Sequence, residues 1–152
     1  MLSRFQTSSR AGREDVVLAV GLSETDQRLL AALSRGMSWR LTCAERLNQA
    51  VRKARVRAVR VVLCECDLAE GNWKLLFDRV RDLPHAPRFI VAARLADERL
   101  WVEVLNLGAY DVLITPFHID ELHRVVSFAV KNAAWQARAA AAGAAAAECA
   151  SQ

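Results

Sequence analysis

The chain predicts an α/β domain, a doubly wound parallel sheet of five strands covered on both faces by five helices. Two observations point there. Short continuous apolar runs alternate with segments whose apolar residues recur at helical spacing. The connections between those runs are too long for hairpins, so neighbouring strands are expected to run parallel, with helices as crossovers.

The first strand is Val16-Val17-Leu18-Ala19-Val20, a run without alternation, which suits burial on both faces. Gly21 follows. Ser23 and Asp26 then have capping-box spacing, so the hydroxyl is placed to accept from a free amide at a helix start. Leu29, Leu30 and Leu33 continue this first helix, and Arg35-Gly36 ends it. Trp39-Arg40-Leu41-Thr42 reads as a short second strand. A second helix over 44–54 carries Leu47, Ala50, Val51 and Ala54 on one face. The third strand is 58–64. A loop over 65–72 leads to a third helix bearing Trp73, Leu75, Leu76, Phe77 and Val80. Pro84 and Pro87 punctuate the way to a fourth strand over 88–93. Asp97 opens a fourth helix with Leu100, Val104, Leu105 and Leu107, stopped at Gly108, and Val112-Leu113-Ile114 is the fifth strand. From Ile119, the residues Leu122, Val125, Val126, Ala129 and Val130 form the apolar stripe of a fifth helix.

With 152 residues the chain can bury one sizeable core. It divides into a flexible N-terminal segment (1–14), the domain itself (15–132) and an alanine-rich tail (133–152), read as a helix extension or as disordered. The first thirteen residues carry Ser and Arg but no acid, a composition shared with transit peptides; a mobile polar terminus is the preferred reading. The four cysteines, Cys43, Cys64, Cys66 and Cys149, are too few for a disulfide scaffold, and a reducing cytoplasm is the expected compartment. No segment suits a bilayer crossing, so no membrane partner is expected. A net charge of +4 does not by itself imply nucleic-acid binding.

In a doubly wound sheet, chemistry collects where strand carboxyl ends meet the following loops. Here those loops are 21–24, 65–71, 93–96 and 115–117. The third is preceded by a strand, and the second opens on Glu65-Cys66-Asp67-Leu68-Ala69-Glu70-Gly71-Asn72. The last closes the run Gly108-Ala109-Tyr110-Asp111-Val112-Leu113-Ile114-Thr115-Pro116-Phe117. With these two motifs and the loop spacing, the chain resembles the receiver domain of two-component response regulators from about Asp15 to Asn132.

The resemblance implies the flavodoxin-like strand order 2-1-3-4-5 and a phosphorylation site built from five groups. In the family, two acids and an acceptor aspartate hold magnesium, while a hydroxyl and a lysine contact the phosphoryl group and offset its charge. Carried onto this chain, the metal acids fall on Gly21 and Leu22 and the acceptor on Glu65. The hydroxyl falls on Ala93 (Ala92 with a one-residue slip) and the lysine on Thr115. Gly and Leu offer no hard oxygen for magnesium, so no metal or cofactor is expected. Glu24 and Asp26 are read as cap and first-turn acids, not as metal ligands. The Thr115–Pro116 bond is expected to be cis, as the family's lysine–proline bond is.

The expected function is that of a pseudo-receiver: a regulatory protein–protein interaction module, not an enzyme, acting without phosphorylation in a bacterial two-component-type pathway. Glu65 also admits the reading of a locked, active-like state, but the groups that would sense it are missing, and Asp67 and Glu70 would raise its pKa or push it to solvent. Trp73 is placed to plug the vacated cleft. A homodimer is expected through the fourth helix, fifth strand and fifth helix, with Trp101, Val104, Leu105 and Tyr110 as interface candidates. Two rival readings stand beside this one. One is a receiver that still accepts phosphate on Glu65 or Asp67. The other is a nucleic-acid or acidic-partner surface on the basic second helix, around Arg52, Lys53 and Arg55. A nucleic-acid partner is the less expected of these. Cys64, Cys66 and His85 match no zinc spacing, and His118 and His123 do not share a helix face. With 20 residues after Asn132, any effect on transcription is expected to pass through another protein.

Overall fold

A computed structural model describes residues 14–150. The transit-peptide-like composition and nearly all of the segment read as a flexible N-terminus lie outside the described residues. The main sheet is built from β1 (Asp15–Val20), β2 (Trp39–Ala44), β3 (Val59–Glu65), β6 (Arg88–Ala93) and β7 (Asp111–Ile114). Its order is β2-β1-β3-β6-β7, and every pairing is parallel. Numbered within this sheet alone, that is 2-1-3-4-5, as expected. The helices are α1 (Glu24–Ser34), α2 (Leu47–Ala54), α3 (Trp73–Val80), α4 (Glu98–Asn106) and α5 (Ile119–Ala150).

The two faces of the sheet bury two separate apolar layers. Val16, Leu18 and Val20 of β1 point to one side, into a core shared with Ala50, Ala54, Trp73, Phe77 and Val104 of α2, α3 and α4. Val17 and Ala19 point to the other, against Leu30 of α1 and Leu122, Val126 and Ala129 of α5. This period-two division is why β1 reads as one unbroken apolar run: neither face meets water. Trp73, Phe77 and Phe89 form the only aromatic cluster among the described residues, with ring centroids 5.2–6.1 Å apart.

Caps set the helix ends. The Ser23 hydroxyl accepts from the Asp26 amide, and Asp97 accepts from Leu100 N at 2.9 Å. Arg46 at the N-cap of α2 gives no side-chain cap; instead the Glu70 carboxylate accepts from Leu47 N at 3.2 Å across the fold. That carboxylate comes from a feature the sequence reading had as a plain loop, the antiparallel hairpin of β4 (Asp67–Leu68) and β5 (Gly71–Asn72). The second strand also extends beyond its expected end, pairing with β1 from Asp15↔Trp39 to Val20↔Ala44, so α2 starts at Leu47 instead of 44. Parallel pairing with a neighbouring strand overrides the helix propensity of Ala44.

Candidate functional site

The strand order reverses between β1 and β3, and a cleft of about 780 Å³ opens at their carboxyl ends. Gly21, Glu65, Ala93, Thr115 and Pro116 all line it. Four loops distant in sequence thus converge where the motifs placed them. Ala93, not the fully buried Ala92, faces the cleft. Leu22 does not: it turns away and is buried in the layer between the sheet and α1 and α5. The Thr115–Pro116 peptide is cis. Thr115 itself is buried, with its amide donating to the Ala93 carbonyl at 2.9 Å.

At Gly21, the position the resemblance gives to a metal acid, the backbone itself favours glycine. Its φ is +69°, and a Cβ there would lie 2.6 Å from Leu68 Cδ2. The loop has settled into a backbone conformation that most side chains resist.

Two charged groups in the cleft were not expected to act there. Asp26 was read as a helix-start acid, and it does sit beside the cap, where its carboxylate accepts from the Ser23 hydroxyl at 3.0 Å. It is also 5 % exposed, lines the cleft, and accepts from the Phe117 amide at 3.3 Å, which ties α1 to the loop after β7. Arg94, directly after Ala93, supplies Glu65 with a counter-charge, against the expectation that none stands near it. Burial, first, and then the negative charges of Asp67 and Asp26 raise the Glu65 carboxyl. Arg94 and a hydrogen bond from the Cys66 backbone pull it down, and the net result is a pKa of about 7 against an ordinary 4.5. Glu65 is therefore a carboxyl near half-protonation at neutral pH.

These residues do not fit magnesium. Of the three acids lining the cleft, Asp26 spends its oxygens on Ser23 and Phe117, and Gly21 and Leu22 add none. No group of three or more His, Cys, Asp or Glu placed to hold a metal ion occurs among the described residues. His85 lies at the opposite end of the sheet from Cys64 and Cys66.

Trp73 does not plug the cleft. It is 1 % exposed, packed against Phe77 and Phe89 beneath α3, and absent from the cleft lining. Its size is absorbed by the core. Among the interface candidates, Leu105 is exposed and Trp101 and Tyr110 are half-buried, but Val104 is fully buried. One residue along a helix turns the side chain by about 100°, so Val104 faces the sheet while Leu105 faces out. In the basic helix, Arg52 and Arg55 are exposed, and Lys53 donates its ammonium to the Cys43 carbonyl. His118 and His123 are both exposed.

No family model matches the chain. It is 30 % identical over 123 residues, 80 % of its length, to the transcriptional regulatory protein ZraR of Klebsiella oxytoca, and 28 % identical over 104 residues to ZraR of Escherichia coli O157:H7. It spans about a quarter of the length of these curated relatives, 28 % and 24 % respectively. A signal receiver domain from Vibrio parahaemolyticus superimposes over 83 % of this chain and 97 % of its own, with a TM-score of 0.74 and 20 % identity. The signal receiver domain of an HD domain-containing protein from Pseudomonas fluorescens gives 0.72 and 22 %, over 83 % of this chain and 93 % of its own. Strand order, the cleft at the switch point and these structural neighbours agree: the chain has the fold of response-regulator receiver domains.

Proposed function

We propose that the chain is a pseudo-receiver, a protein–protein interaction module of a two-component-type pathway that works without phosphoryl transfer. One observation carries the reading: the acceptor position holds Glu65, in a cleft where Gly21, Ala93 and Thr115 stand at the positions of a metal acid, the hydroxyl and the lysine. The transferring phosphoryl needs its charge offset on several sides at once. Arg94 is a single exposed cation, and it already faces Glu65. Incubation with magnesium and acetyl phosphate is expected to leave the intact mass unchanged, and magnesium with beryllofluoride to leave the amide signals of 21, 65, 93 and 115 in place. A stoichiometric phosphoryl adduct on Glu65 or Asp67 would refute the reading.

Partner contact is proposed through α4, β7 and the start of α5. Val102, Leu105, Ile114 and Ile119 are all exposed on these elements, each between 45 and 52 %. Several apolar side chains left in water on one side of a domain mark an association surface. The proposed occupant is a second copy. Leu105→Glu is expected to convert a dimer to a monomer in sedimentation velocity without lowering the melting temperature; a monomeric wild-type chain at tens of micromolar would remove the dimer from the proposal.

A further inference from the structure

A second cavity, of about 490 Å³, lies at the amino-terminal ends of β3 and β6, away from the Glu65 cleft. Its floor is apolar, from Phe77 and Phe89. Its walls bring together Arg60, Arg81, His85 and Arg88, and no Asp or Glu lines it. Helix α5 closes one side with Ala133, Gln136 and Ala137, residues past the end of the apolar stripe that docks it on the sheet.

The arginines are not all neutralised by the protein. Arg60 donates from Nε to Asp15 at 2.9 Å. Arg81 reaches Asp78 and Asp82 only at 3.9 Å. Arg88 makes no ion pair with any of the described residues. Three buried side-chain nitrogens among the described residues lack a hydrogen-bond partner, and two of them, His85 Nε2 and Arg88 Nε, belong to this cavity. Buried polar atoms in folded chains nearly always find partners. Neither atom is open to solvent, so a ligand reaches Arg88 through the rest of its guanidinium group, which can only donate and therefore calls for an acceptor. A concave site of this volume, with guanidinium groups converging and no Asp or Glu in its lining, has the chemistry of an oxyanion pocket.

We infer that this cavity binds a small multiply charged oxyanion of the phosphate class, as the free ion or as a phosphate ester, held by Arg81, His85 and Arg88 over the aromatic floor. The inference is independent of what happens at Glu65. Inorganic pyrophosphate, titrated at fixed ionic strength into the full chain, is the probe. Saturable amide shifts are expected at 83–89 and 108–110, with those at 21, 65, 93 and 115 unmoved. Arg81→Gln and Arg88→Gln are each expected to weaken binding about tenfold. Arg81 is exposed, so its variant keeps the test valid where the Arg88 variant fails to fold. A parallel titration with AMP distinguishes a phosphate ester from the free ion: tighter binding of AMP, with shifts at Phe77 and Phe89, identifies the ester. Non-saturating shifts, shifts at the Glu65 cleft instead, or unchanged affinity in the Arg81 variant would overturn the inference.

Discussion

Trp73→Ala is expected to lower stability by about 3–5 kcal/mol, the largest effect of any single substitution considered. Trp73 is 1 % exposed and lies 5.8 Å from Phe77 and 6.1 Å from Phe89, centroid to centroid. Removing the indole takes away its transfer free energy and leaves a void among residues that cannot collapse into it, because Phe89 is fixed in the middle of the sheet and Phe77 on the rigid helix α3. For a chain of this size each kcal/mol moves the melting temperature by about 2–4 °C, so a drop of roughly 10 °C is expected. Urea unfolding checks it, with a lower midpoint and an unchanged slope.

The second large effect is on the pH dependence of stability. The Glu65 carboxyl has a pKa of about 7 in the folded chain and an ordinary value of 4.5. The folded state therefore holds more protons than the unfolded state between those two pH values, and stability falls as pH rises through that window. Below 4.5 the group contributes no difference, and above about 7 the full penalty of an ionised, partly buried carboxylate beside Asp67 and Asp26 is present. Glu65→Gln removes the titration. After discounting for solvent screening, the variant is expected to be about 1–2 kcal/mol more stable than the parent at pH 8, and equal to it at pH 4. Melting curves across that range measure the difference. A variant less stable than the parent at pH 8 would show that Arg94 outweighs burial and the neighbouring acids.

The framework was legible because each sheet strand carries its own signal. The runs at β1, β3 and β6 are apolar on both faces, short, rich in β-branched residues and bounded by turn residues, which together mark buried strands. The cleft was half legible. Gly21 and Thr115 directly follow β1 and β7, and Glu65 and Ala93 end β3 and β6, so strand ends locate them. Asp26 and Arg94 were missed as partners of Glu65 for a spatial reason. Asp26 is more than a helical turn's spacing past Gly21, and only the fold brings it over the cleft, beside the loop after β7. Arg94 reads as an ordinary loop arginine until β6 is laid beside β3, where Glu65 pairs with Ala92. The 67–72 hairpin escaped because strands of two residues are too short to show any periodicity. The interface reading erred at Val104 because more apolar residues were counted on α4 than one stripe can hold, without dividing them between its inner and outer faces.

Helix α5 runs for 32 residues, and from Arg138 to Cys149 every side chain is exposed. At 1.5 Å per residue, that stretch is an arm of about 18 Å standing off the body of the domain. Between Ala139 and Ala147 it has no charge and no large side chain to slow its approach to another surface. Whatever tilts the base of this helix, at the β7 edge or at the Arg88 cavity, is carried undiminished along a stiff rod, so that a rotation of about ten degrees becomes a sweep of roughly 3 Å at the tip.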